Sequence, residues 1–239
     1  MSGSSLDGLD IVYASFTYSN KWNYEILKTK DVSLNSWTNI LPKAQELSKK
    51  NLDNLSLTFG RFIGEETQKF ITENNIKQID IVVSHGHTIF HYPEKGTTCQ
   101  IGNGQTIANI LKLPVLNNLR QKDIDAGGQG APIVPIGDLH LFAQNKICLN
   151  IGGIANISVK QENKIIAYDI AVANQILNYY SSKLGADFDA NGNWAREGTI
   201  NFEIVEQLKK LDFYKKEAPK SLDNSYKEEI KKVIYFYNI

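Results

Sequence analysis

A chain of 239 residues with 42% hydrophobic and 22% charged side chains can bury a core, as one large domain or two small ones. Its 26 basic and 26 acidic residues cancel, which excludes the basic footprint of nucleic-acid binders and of proteins drawn to anionic membranes. No basic segment leads into an apolar stretch and no run reaches membrane-spanning length, so we expect a soluble, cytoplasmic protein whose Cys99 and Cys148 are free thiols.

The chain opens on a glycine turn, Met1-Ser-Gly-Ser-Ser-Leu-Asp-Gly-Leu-Asp10, with no strand in front to anchor it. Asp10 to Phe16 and Trp22 to Lys30 read as strands joined by the polar Tyr18-Ser-Asn20 turn, a hairpin. Asn39 to Asn51 and Leu55 to Asn74 read as helices, the second with Leu57, Phe59, Phe62, Ile63, Phe70 and Ile71 at roughly helical spacing. Ile79 to Ser84 is a short apolar run ending in small residues, the pattern of a buried parallel strand whose carboxyl end faces a cleft. A short helix over Thr106 to Leu111 and a strand over Pro114 to Leu116 follow. Arg120 to Pro135 lacks periodicity, and its Gly127-Gly-Gln-Gly-Ala-Pro132 core excludes a helix or a central strand.

Next come strands at Lys146 to Asn150, Ile154 to Lys160 and Lys164 to Asp169, then a helix over Val172 to Lys183. This order looks like the start of a second unit built like the first. We expect closely packed domains over 1–140 and 141–239, with a boundary near residues 136 to 146. Ser225 to Ile239 reads as an amphipathic helix with Tyr226, Ile230, Val233, Ile234 and Tyr237 on its apolar face, stopping without a cap. An uncapped end and an unanchored opening turn lead us to expect a fragment, lacking a short strand in front and a larger piece behind.

Glycine lets the backbone approach a ligand closely, and successive N–H groups make a concavity suited to phosphate oxygens. Two such turns occur, Met1 to Asp10 and Asn150-Ile-Gly-Gly-Ile-Ala-Asn156, which suggests a phosphate clamped between two hairpins. Ser84-His-Gly-His-Thr88 reads as a substrate-contacting turn, as a metal site formed by His85 and His87 with His91 close by, or as a plain polar strand end. No cysteine or carboxylate cluster with ligand spacing accompanies it. Arginine is scarce, at Arg61, Arg120 and Arg196 only, and is kept where planar recognition of a carboxylate or phosphate matters. Arg120 therefore either recognises a ligand or braces its loop by pairing with Asp123. Asp169 is either a catalytic base at a strand's carboxyl end or the N-cap of the Val172 helix. Asp7 and Asp10 divide between magnesium chemistry and turn formation.

Taken in order, Met1 to Asp10, Ser84 to Thr88, Gln100-Ile-Gly102, Arg120 with Asp123, Ala126 to Pro132 and Asn150 to Asn156 resemble the anhydro-N-acetylmuramic acid kinase family. Asp187-Phe-Asp189, Trp194-Ala-Arg196-Glu-Gly198 and Ala218-Pro-Lys-Ser221 extend the resemblance over essentially the whole chain. It implies a bacterial peptidoglycan-recycling enzyme with an α/β, actin-like ATPase (ribonuclease H-like) fold, here the first domain and the start of the second. Such an enzyme phosphorylates O6 of 1,6-anhydro-N-acetylmuramic acid with ATP and Mg2+ while water opens the anhydro ring, giving N-acetylmuramic acid 6-phosphate.

By that resemblance Asp169 is the base. Gly3, Ser4, Ser5, Leu6, Asp7, Gly8, Leu9 and Asp10, together with Gly152 and Gly153, hold the nucleotide phosphates. Ser84, His85, Gly86, His87, Arg120, Asp123, Gln129, Gly130 and Asn174 line a sugar cleft that closes as the domains rotate. The resemblance also implies a homodimer and places adenosine-binding residues beyond Ile239. One departure stands out. The family's Asp-Thr-Gly-Pro-Gly-Asn is Asp169-Ile-Ala-Val-Ala-Asn174 here, and the added Cβ atoms stiffen the turn. Two alternatives follow: a kinase of another amino sugar, and a catalytically inactive sugar-binding module.

Overall fold

In the computed structural model, which describes residues 1–3, 6, 8–92, 95–162, 164–222 and 226–236, the chain divides into two units, Met1–Ile133 and Val134–Ile239. Each mixes helix and sheet, so the class is α/β.

The first unit begins with the expected hairpin. β1 (Leu9–Tyr18) pairs antiparallel with β2 (Trp22–Val32), in register from Leu9↔Val32 to Tyr18↔Trp22 with a bulge at Tyr13/Ala14. Cross-strand aromatic pairs, Phe16 with Tyr24 and Tyr18 with Trp22, brace its tip. The two expected helices are divided at a different place. A short α1 (Trp37–Ile40) runs into a 3-10 turn, Leu41–Glu46, because Pro42 removes a backbone donor there. Leu47 is extended, and Ser48 then caps α2 (Lys49–Glu73), its Oγ accepting from Asn51 N at 3.4 Å. Nothing between Asn51 and Leu55 breaks a helix, so α2 is continuous over 25 residues.

β3 (Val82–Val83) and β6 (Val115–Leu116) pair in parallel within the two expected strands, but the first is not the buried strand expected, since Ile81 and Val83 are more than half exposed. Between them lies a second hairpin that the sequence pattern did not announce, β4 (His87–Tyr92) with β5 (Thr97–Ile101), followed by α3 (Gly104–Leu111) capped by Asn103. The stretch read as aperiodic contains a short α4 (Gln121–Asp125) before its glycine-rich part. Leu9, Leu34, Leu41, Phe59, Ile63, Ile101, Ile107 and Leu111 form the buried core. Each such side chain contributes about 1.5–3 kcal/mol by leaving water.

The second unit opens with α5 (Val134–Leu141), then an antiparallel meander of β7 (Ile147–Ile151), β8 (Ile154–Gln161) and β9 (Lys164–Val172). β9 runs past Asp169 to the buried Val172, and α6 (Asn174–Lys183) starts at Asn174 instead of Val172. Short helices α7 (Asn193–Glu197), α8 (Phe202–Lys209) and α9 (Asp212–Lys215) precede α10 (Tyr226–Phe236), the described part of the expected C-terminal helix. Ser225 and Tyr237 to Ile239 lie outside the described residues. Val172, Ile176 and Ile230 form a second, smaller core with Leu208, Leu211, Leu222 and Tyr226 around it. Cys99 and Cys148 are free and half-buried. Among the described residues no helix is long and apolar enough to cross a membrane.

Candidate active site

The His-Gly-His turn follows β3, where Ser84 N donates to Leu116 O at 2.8 Å and extends the parallel pairing. Gly86 makes the turn with φ +69°, and a Cβ at that position would lie 2.1 Å from Ile101 O, so only glycine fits. The opening glycine turn docks here. Ser2 N donates to Gly86 O at 3.3 Å, and Ser2 Oγ shares a buried hydrogen bond of 3.1 Å with His87 Nδ1.

His85 faces Arg120. Arg120 Nε donates to His85 Nε2 at 3.1 Å, which requires a lone pair on that nitrogen. The proton of the neutral ring then sits on Nδ1, 3.3 Å from Gly86 O. Arg120 Nη1 donates to Gly130 O at 2.8 Å, and Asp123 Oδ2 accepts from Gly130 N at 2.6 Å. Arg120 and Asp123 therefore brace the loop by gripping Gly130 from its two sides, and not by pairing with each other as the sequence allowed. Gly130 sits at φ +63° and is buried, while the neighbouring Gln129 is exposed.

Burial pushes the His85 imidazole below its ordinary pKa, and the Arg120 charge lowers it further. Burial also lowers His87, against the opposing effect of its bond to Ser2. Below pH 6.5 the unfolded chain thus binds more protons than the folded one at these rings, so their stabilising contribution is complete above pH 6.5 and is lost as pH falls. Urea midpoints measured from pH 7.5 down to 5.5 should fall, and the fall should shrink in the His85→Gln, His87→Gln double variant. An identical slope in the two proteins would remove this account.

Of the three histidines offered for a metal, His85 accepts from Arg120 through Nε2, His87 meets Ser2 through Nδ1, and His91 Nδ1 lies 2.9 Å from Thr98 Oγ1. Among the described residues no group of three or more His, Cys, Asp or Glu could hold a metal ion.

In the second unit Asp169 lies within β9, opposite Asn156, which in turn lies opposite Asn150, so a polar row crosses the meander. The ladder is irregular where Ala155/Asn156 meet Asp169 to Ala171, a bulge of the kind that re-aims a neighbouring side chain. Asp169 Oδ2 accepts from Leu222 N at 2.8 Å, and Asp169 N donates to Lys220 O at 2.9 Å. Burial pushes this carboxyl above the usual carboxylate range, opposed by the Leu222 N–H.

Asp169 is not the cap of α6. That position is Ala173, and the donors Ala173 N, Asn174 N and Gln175 N bond the carbonyls of Gly153, Gly152 and Gly153 at 2.9–3.1 Å. The second glycine turn thus directs carbonyls at α6, with the half-buried Asn174 as the helix's first residue.

In the first glycine turn Leu6 N donates to Gly3 O at 3.2 Å and Gly8 is buried. Leu9 is 2% exposed in the core, which leaves only its backbone for a ligand, and Asp10 is exposed at the start of β1. Ser4, Ser5 and Asp7 lie outside the described residues. Sequence reasoning missed three residues: Ser2 beneath His87, and Lys220 and Leu222 against Asp169. Ser2 and Lys220 fall within recognised motifs, but nothing in their spacing gives their partners.

A family model described as anhydro-N-acetylmuramic acid kinase matches residues 1–229. The chain is 33% identical over 242 residues to the anhydro-N-acetylmuramic acid kinase of Sulfurimonas denitrificans, covering 92% of this chain and 62% of that protein. The Acinetobacter baylyi protein of the same name is 32% identical over 231 residues, covering 92% of this chain and 61% of its own. The Aliivibrio fischeri protein is 33% identical over 234 residues, with 92% and 63% covered. The chain therefore spans about three fifths of the length of these curated relatives. With the family match running from the first glycine turn into α10, the chain belongs to the anhydro-N-acetylmuramic acid kinase family.

Proposed function

We propose that the protein is an ATP-dependent sugar kinase that phosphorylates O6 of 1,6-anhydro-N-acetylmuramic acid while water opens the anhydro ring. We read its two units as the first domain, and the start of the second, of an actin-like fold of the ribonuclease H type, a reading supported by the family match. The observation that carries the chemistry is Asp169, whose one carboxylate oxygen is fixed by Leu222 N–H while burial strengthens the group as a base. Its other oxygen takes a proton from water as that water attacks the anomeric carbon. The bond from the anomeric carbon to O6 breaks, and O6 forms its new bond to the γ-phosphorus as ADP leaves. The proton on Asp169 then passes to solvent.

The first unit supplies recognition. Arg120 is already held through Nε and Nη1, so its remaining donors are oriented towards a sugar carboxylate without further ordering cost. Ser84 and His87 add short polar contacts, and the backbone N–H groups of the opening glycine turn receive phosphate oxygens. Magnesium, when bound with ATP, supplies positive charge against those oxygens. Asp10, exposed beside the opening glycine turn, is a described carboxylate that would meet such an ion.

The test supplies ATP and Mg2+ with either the anhydro sugar or reducing N-acetylmuramic acid, and follows product by phosphorus NMR. The expected result is one ADP per sugar 6-phosphate from the anhydro sugar alone. Equal turnover of the reducing sugar would remove ring opening from the reaction.

A further inference from the structure

The Ala218-Pro-Lys-Ser221 motif has no helix or strand of its own, yet it lies against the one carboxylate assigned to chemistry. Lys220 O accepts from Asp169 N at 2.9 Å, and two residues later Leu222 N donates to Asp169 Oδ2 at 2.8 Å. A loop with so little regular structure needs another anchor to keep an N–H aimed at one carboxylate oxygen. Lys220 provides it. Its Nζ donates to Phe213 O at 3.1 Å and to Lys216 O at 3.0 Å, and lies 4.6 Å from the centre of the Phe213 ring.

That ring is itself fixed. Phe213 is 2% exposed, Phe213 N donates to Tyr226 Oη at 3.1 Å, and the two rings pack 5.5 Å apart. On the far side, Leu222 packs into the core formed by Val172, Ile176 and Ile230. A lysine in such a motif would ordinarily suggest a contact to phosphate. Here the ammonium is turned towards two carbonyls and an aromatic face, which commits its donors within the protein.

We propose that Lys220 is a positioning residue for Asp169. Its ammonium ties the 218–222 segment to α9, and the segment holds the carboxylate through Lys220 O and Leu222 N–H. One oxygen is thereby fixed and the other is presented to the reacting water, so the inference rests on Asp169 being the base. Removing the ammonium should free the Leu222 N–H, and with it the bond that favours the ionised carboxylate.

The experiment compares wild type, Lys220→Met and Lys220→Arg in the 239-residue chain by NMR. In Lys220→Met, amide exchange at Leu222 and Asp169 should accelerate about tenfold or more, with β7 and β8 unchanged. The Asp169 carboxyl signal should titrate at higher pH, and Lys220→Arg, which keeps donors for both carbonyls, should restore both readouts. Unchanged exchange and titration in a folded Lys220→Met protein would overturn the proposal. If that variant does not fold, the wild type decides. The Lys220 ammonium protons should exchange about tenfold more slowly than those of the exposed Lys209, and equal rates would overturn it. None of these readouts needs turnover. A loosened Leu222 in Lys220→Met alongside full activity in Asp169→Asn would uphold the positioning and dismiss the base.

Discussion

Replacing Asp169 by asparagine should lower turnover by about 10²–10⁴-fold, the range lost with a positioned general base. The substitution is close to isosteric, and an amide oxygen still accepts from Leu222 N–H, so the 2.8 Å contact and the pairing of Asp169 N with Lys220 O should survive. Thermal unfolding should therefore move little while the rate falls. Substrate affinity should change far less than kcat, because the carboxylate acts on water and not on the sugar's recognition groups. The check is a steady-state comparison with a melting curve on the same preparations. A loss of less than about threefold, with the fold intact, would transfer the base to another residue.

The largest structural effect should come from Gly86→Ala. Its φ of +69° costs an L-residue about 1–2 kcal/mol, and a Cβ only 2.1 Å from Ile101 O must also push β4 away from β5. Overpacking of that kind adds about 1–3 kcal/mol, giving a total of about 2–5 kcal/mol against a usual domain stability of about 5–15. Because Ser2 N and His85 Nδ1 both bond Gly86 O, the displacement should also disturb Arg120 through His85. Gly127→Ala is the control. Its φ is +83° but nothing lies within 4 Å of the added Cβ, so it should lose only the conformational part, about 1–2 kcal/mol. Urea denaturation of both variants separates the terms, and equal losses would show that the contact with Ile101 O is harmless.

The first hairpin and the β7–β9 meander were legible because their turn residues sit between strand-forming runs, and such signals are local. The break before α2 was misplaced because a side-chain cap, Ser48 to Asn51 N, fixed it while the hydrophobic pattern ran on. β4 and β5 escaped notice because Thr97-Thr-Cys-Gln-Ile101 carries weak alternation and becomes a strand by pairing with its neighbour.

The candidate site divides the same way. By itself the sequence determined the α/β class, the family and the residue types on hand: two glycine turns, a His-Gly-His turn, a scarce arginine and a carboxylate before Asn174. These are properties of composition and short spacing. Only the tertiary structure decided their partners: Arg120 on His85 and Gly130, Ser2 under His87, and Asp169 inside a strand and held by Leu222. A hydrogen bond between residues far apart in the chain depends on how strands and loops pack, and no local pattern encodes that distance.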